Sequence, residues 1–142
     1  MYQKDYILRM VEMLGELIAS ILKLIRTGDV QQAQKGIDEI YHTMLKKDAA
    51  FFQKIPVGKL TTTLIEDHNY TNGHLEILAE LFYAEAELKQ AQNSVALSLE
   101  YYEKSLLLFE FVDNSSNTYY RERLSKIELI RNKIKDIKRV KG

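Results

Sequence analysis

The stretch Arg26-Thr27-Gly28-Asp29-Val30-Gln31-Gln32-Ala33 decides how this chain folds. A long apolar-rich segment runs into it, and Gly28 suits the left-handed conformation that ends a helix. Asp29 then caps the next helix, because its carboxylate can accept a free backbone N–H of the first turn. Ala33 is small enough for two helices to approach closely. The stretch therefore reads as a tight turn between two amphipathic helices.

Upstream, the spacing predicts a first helix from about Tyr2 to Arg26. Its polar residues Asp5, Arg9, Glu12, Glu16 and Lys23 fall near one stripe, and apolar residues from Tyr6 to Ile25 fill most of the remaining circumference. An ordinary surface helix has an apolar stripe only somewhat wider than ~100°. This helix is expected either at the centre of a bundle or with a second apolar face used between subunits. Tyr6, Met10, Met13 and Leu14 are the candidate contacts of such a symmetric dimer.

Downstream, a second helix over Val30–Lys47 carries Ala33, Ile37, Ile40, Tyr41, Met44 and Leu45 on one face. Ala49-Ala50-Phe51-Phe52 makes a short apolar turn ending at Pro56, and Leu60, Leu64 and Ile65 give the next helix a thin apolar face. After a polar break at 69–73, a helix is expected over His74–Gln90 with Leu75, Leu78, Ala79, Leu81, Phe82 and Leu88 inward. Another runs from an N-cap at Ser94 to about Val112, with Val95, Leu99, Tyr102, Leu106 and Phe109 inward. Asp113 to Thr118 reads as a loop. The last helix, Tyr119 to Arg139, sets Tyr120, Leu124, Ile127, Ile130, Ile134 and Ile137 on one face. No segment alternates with period 2, so the predicted class is all-α. One domain is expected over 1–142, with five to six helices. They comprise antiparallel hairpins at 2–47 and 74–112, short connecting helices at 49–68 and a long basic helix at 119–139.

Recurring hairpins mark a stacked helical array. In the first, Leu17, Ile21, Leu24, Gly28-Asp29-Val30, Ala33, Ile37 and Ile40 resemble a tetratricopeptide repeat. In the second, Ser98-Leu99-Glu100-Tyr101-Tyr102-Glu103-Lys104-Ser105-Leu106 resembles the repeat's second helix, with Ser98 and Ser105 at the usual alanine positions. The likeness covers these two hairpins, without the Trp-Leu-Gly start or the terminal Pro. The second hairpin fits with about seven extra residues ahead of its second helix. This resemblance implies a scaffold or peptide-binding surface. Over the whole chain, Lys4-Asp5-Tyr6-Ile7-Leu8-Arg9-Met10 followed by a long apolar helix and two hairpins is similar to a family of bacterial proteins of unknown function, mostly from Firmicutes. That resemblance implies a cytoplasmic bacterial protein and supplies no catalytic residue.

The composition agrees with one globular domain. The 142 residues are 46% hydrophobic and 28% charged, and a chain of this size buries ~70% of its unfolded surface. With no cysteine, disulfides and thiolate chemistry are excluded. Arg9, Glu12, Glu16 and Lys23 interrupt the most apolar segment, so no membrane span is expected. The N-terminus lacks a basic region followed by an unbroken apolar core, so no secretory signal is expected. The zero net charge conceals segregation: residues 60–118 hold ten Asp/Glu against two Lys/Arg, and residues 119–142 hold nine Lys/Arg against three Asp/Glu. A basic last helix packed on an acidic hairpin accounts for this better than a nucleic-acid interface does. No aromatic residue follows Tyr120, which leaves base stacking unsupported.

Little in the chain points to chemistry. Glu39-x-x-His42 has the spacing of a di-iron bundle ligand pair, but neither His68 nor His74 has the second such pair. Glu66, Asp67, His68, His74 and Glu76 can converge near one loop, as acidic loops often do without metal. The pairs Glu85/Glu87 and Glu100/Glu103 read as solvated helix faces. No phosphate loop or nucleophile elbow is present. Tyr83 and Tyr101 are expected away from the strongest apolar stripes of their helices, as candidate contacts for a partner. The leading expectation is thus a non-enzymatic helical interaction or scaffold module that binds a protein or peptide, including a second copy of itself, and needs no cofactor. The alternative is a small-molecule or metal-binding protein with a site between hairpins near His42, His68 or His74.

Overall fold

The computed structural model describes residues 2–116 and 121–141, with side chains described over 9–116 and 121–140. Among the described residues seven α-helices follow in order: α1 (Tyr2–Arg26), α2 (Val30–Ile40), α3 (Ala49–Gln53), α4 (Leu60–Thr62), α5 (Asn72–Ala91), α6 (Val95–Ser115) and α7 (Arg121–Lys141). Among the described residues there is no strand. Wider π turns extend α2 over Tyr41–Leu45 and α4 over Thr63–Asp67. No described helix is long and apolar enough to cross a membrane.

The turn at 26–33 forms as its residues dictate. Gly28 takes φ +86°, the Asp29 N–H reaches back to Leu24 O at 2.9 Å and the Gly28 N–H to Ile25 O at 3.1 Å. These two bonds satisfy carbonyls that the end of α1 would leave bare. The Asp29 carboxylate accepts the Gln32 N–H at 3.3 Å, and Ala33 is fully buried. Gly36 completes the close approach, since a Cβ there would lie 3.1 Å from Ile21 Cγ1. The second hairpin closes in the same way. Asn93 takes φ +63°, and bonds run from Ser94 N to Lys89 O (2.8 Å) and from Asn93 N to Gln90 O (3.1 Å). Ser94 stands at the N-cap of α6, but its hydroxyl makes no capping bond.

Helix α5 is the centre of the molecule, a place the sequence reading offered to α1. Besides the expected Leu75, Leu78, Ala79, Leu81, Phe82 and Leu88, it buries Glu76, Ile77, Tyr83, Ala84, Glu85 and Ala86. It packs on α1, α2 and α6. The small residues Ser98 and Ser105 let α6 lie close, and their hydroxyls donate to Ala86 O (2.8 Å) and Ala79 O (2.7 Å). Helix α1 is therefore a flanking element: Leu14 and Ile18 enter the core while Met13 stays 60% and Leu17 41% exposed. Val95, expected inward, lies exposed in the first turn of α6.

Helix α7 crosses the α5/α6 pair as a ladder of ion pairs. Arg123, Lys126 and Lys133 meet Glu76 (3.3 Å), Glu80 (3.4 Å) and Glu87 (3.1 Å) in rising order along α5, so the two helices run parallel. Arg123 and Lys138 meet Asp113 (3.2 Å) and Glu103 (3.7 Å), with Arg131 on Glu110 between them, so α7 runs antiparallel to α6. Beneath these pairs Ile127, Ile130 and Ile137 are buried. Asp113, expected in a loop, belongs to the last turns of α6 and anchors this contact. Tyr119 and Tyr120, expected to begin the last helix, lie outside the described residues.

Candidate interaction groove

A groove of about 470 Å³ runs between α1 and α7 over the face of α5. Val11, Glu12 and Gly15 of α1 form one wall, Leu129 with the Arg121–Lys126 segment forms the other, and Glu76, Glu80 and Phe109 form the base. The walls are partly apolar: Val11 is half-buried and Leu129 is 40% exposed. Gly15 sits in mid-helix, and among the described residues nothing lies within 4 Å of the position a Cβ would take.

At the base two carboxyls face two cations that other groups share. Arg123 divides itself between Glu76 and Asp113, and Lys126 serves Glu80 while lying 4.2 Å from the centre of the Tyr83 ring. Glu80 Oε1 is buried and makes no hydrogen bond. Its 3.4 Å approach to Lys126 Nζ is a charge contact without hydrogen-bond alignment. Burial raises the pKa of Glu76, against the opposing pull of Arg123, and burial raises that of Glu80, against Lys126. Desolvation thus outweighs the attraction of the available cations at both carboxyls.

The residues expected to meet a partner are distributed otherwise. Tyr83 and Tyr101 are 4% and 5% exposed and belong to the core, not to a free surface. Lys126 of α7 covers the Tyr83 ring; Tyr101 packs at 5.6 Å on Phe82 and lies against Gln53 of α3. Both burials depend on helices distant in sequence, which the apolar stripe of one helix cannot register. Leu14 is fully buried against α5. Met10 is half-buried on the core edge, Met13 faces solvent, and the Tyr6 side chain lies outside those described.

A second polar cluster is sealed inside. Glu85, expected on a solvated face, is 1% exposed. It accepts the Tyr41 hydroxyl at 3.3 Å, with Gln34 as a further hydrogen-bond partner. Burial, reinforced by Asp38 and opposed by Lys89 and by those hydrogen bonds, pushes its carboxyl up to about 7. The same burial and the nearby carboxylate raise the Tyr41 hydroxyl well above its usual range. Tyr41 begins the π turn that ends α2, and such turns often displace one side chain from the regular helical face. Near it, Lys104 is buried and donates to Gln53 O at 3.3 Å, tying α6 to α3.

The three histidines do not form one group, although His68 and His74 both pack on the Tyr70 ring. His42 is exposed, while His68 sets its ring edge against Phe51 at 5.0 Å. His74 stacks on Tyr70 at 4.9 Å and caps α5: its Nδ1 accepts the Thr71 N–H at 3.1 Å, which requires that nitrogen to be unprotonated. Burial lowers its pKa in keeping with that role. Among the described residues no three His, Asp or Glu side chains form a group able to hold a metal.

The groove and the Glu85 cluster both draw on acidic residues of α5 that the sequence reading placed in solvent or in a loop. A signal for the groove was present in Gly15, a glycine in the middle of a long helix. No protein-family model, no curated protein and no solved structure matches this chain.

Proposed function

We propose that this protein is a non-enzymatic helical interaction module, a cytoplasmic bacterial scaffold of tetratricopeptide-like hairpins that receives a protein or peptide partner in the groove between α1 and α7. The observation that carries this reading is the open groove itself, with partly apolar walls from two helices and a glycine exposed in mid-wall. The repeat-like part draws support from the identical turns at Gly28 and Asn93 and from the buried Ala33, Ser98 and Ser105 between paired helices. Catalysis has weaker support, because Glu85, whose carboxyl is pushed up to about 7, is sealed in the core. The test is capture from the native host with wild type and a Gly15→Leu variant whose groove is plugged. A partner retained by wild type and lost by the variant supports the proposal. Partners bound equally by both would refute it.

Self-association is a second reading, favoured by Met13 and Leu17 standing exposed one turn apart on α1. They lie on the flank of the helix away from Val11 and Gly15. Two side chains fall well short of the ~800 Å² per partner of a stable interface, so any dimer through them is weak. Light scattering that shows only monomer at high micromolar concentration eliminates it.

A further inference from the structure

We infer that the occupant of the groove is a helix of a partner protein that brings a lysine or arginine, flanked by apolar side chains, to the Glu80 carboxylate. This rests on the groove being the interaction surface and adds the chemistry of what fills it.

Gly15 supplies the first argument. Glycine inside a helix costs about 1 kcal/mol relative to alanine, so a mid-helix glycine calls for a packing reason. Gly36 has one within the chain, the Ile21 side chain 3.1 Å from where its Cβ would be. Gly15 has none within 4 Å among the described residues. A bare stretch of backbone on a groove wall allows a second helix to reach the lower end of the ~8–10 Å interaxial range.

Charge supplies the second argument. Among the described residues that line the groove, four carboxylates (Glu12, Glu76, Glu80 and Glu122) stand against three cations (Arg121, Arg123 and Lys126), and Arg123 is shared with Asp113 outside it. On the rim, Glu12 and Glu122 outnumber Arg121. Glu80 Oε1 is buried without a hydrogen bond. The Glu80 side chain is 19% exposed, so an ammonium or guanidinium entering the groove adds the positive charge its lining is short of, whereas an acidic segment deepens the imbalance. Val11 and Leu129 offer apolar contact to the residues on either side of that cation, the usual division of labour when a helix lies in a groove.

The test uses the full chain to select binders from a displayed library of helical peptides, followed by fluorescence anisotropy against wild type, Gly15→Leu and Glu80→Gln. Dichroism and melting verify both variants; Leu129→Lys, at an exposed position on the opposite wall, replaces Gly15→Leu if the latter unfolds. The selected peptides are expected to share a Lys or Arg with aliphatic residues three or four positions away. They bind the plugged variant and Glu80→Gln each about tenfold or more weakly, a loss of about 1.4 kcal/mol. Binders that are sensitive to the plug, lack a basic residue and ignore Glu80→Gln leave the groove standing and overturn its cationic occupant. A selection that yields no plug-sensitive binder overturns both.

Discussion

Replacing Glu85 by Gln should make this protein more stable at alkaline pH while leaving its stability near pH 5 little changed. In the unfolded chain the carboxyl loses its proton near 4.5, and in the folded chain burial holds the proton until about 7. Between those values the unfolded state binds fewer protons than the folded state, so stability falls as pH rises. The contribution is fully present below 4.5 and is lost as pH rises through about 7. At about 1.4 kcal/mol per pH unit, the interval corresponds to about 3 kcal/mol. Groups facing Glu85 are Gln34, Asp38 and Tyr41 of α2, Lys89 of α5 and Tyr101 of α6. Glutamine keeps the volume and an acceptor for the Tyr41 hydroxyl, so the packing of α2 on α5 survives. The assay is urea unfolding followed by dichroism at steps from about pH 5 to about pH 8.5, for wild type and Glu85→Gln in parallel. Glu76 and Glu80 slope the same way and His74 the opposite way in both proteins, so the difference curve isolates Glu85. That difference should grow by up to about 3 kcal/mol toward high pH. A difference that stays flat across the range refutes the reasoning.

Other substitutions probe other parts of the fold. Gly28→Ala forces a Cβ into φ +86° and should cost about 1 kcal/mol or more, a loss of about 3 °C in Tm by calorimetry. Arg123→Met should cost about 3 kcal/mol in urea unfolding, because it strands Glu76 in a buried site; adding Glu76→Gln should restore part of that loss. Lys138→Ala, at the exposed end of the same ladder, should cost under about 0.5 kcal/mol and less still in high salt. Acidification below 6.5 should loosen the first turn of α5, since protonating His74 removes the acceptor of the Thr71 N–H. Nitrogen-detected NMR of the ring reads that loss, and a ring that keeps Nδ1 bare through the titration would contradict the cap.

What was legible in the sequence was local. The turn at Gly28-Asp29 needs only its own backbone bonds and one carboxylate, all within the consecutive residues Leu24 to Gln32. The all-α class follows from the same short-range periodicity. The centre of the molecule was illegible for the converse reason. An amphipathic stripe identifies a helix with one dry side, and α5 is wrapped by four others, so its acids read as solvent-facing. Their real surroundings come from afar: Tyr41 lies 44 residues before Glu85, and Arg123 lies 47 residues after Glu76. Tyr83 and Tyr101 were misplaced by the same logic, since α7 and α3 cover them. Gly15 was a sequence-visible mark of the groove, and its meaning required knowing that no described side chain comes within 4 Å of where its Cβ would stand.

The opposed charge blocks of the sequence acquire a meaning from the direction of α7. A basic helix available to an external polyanion would point its cations outward, and the ladder points many of them inward. Arg123, Lys126, Arg131, Lys133 and Lys138 each meet a carboxylate of α5 or α6. Binding nucleic acid through these side chains would first break those pairs, and Arg123 is only 5% exposed, so the exchange would uncover buried carboxylates at several kcal/mol each. The ladder also explains why the groove exists. Anchored to the far side of α5 and α6 by charge and by Ile127, Ile130 and Ile137, α7 is held away from α1. The acids of α5 nearest that gap, Glu76 and Glu80, then receive only the inner edge of the ladder. Their incomplete neutralisation is a consequence of the same geometry that opens the space above them.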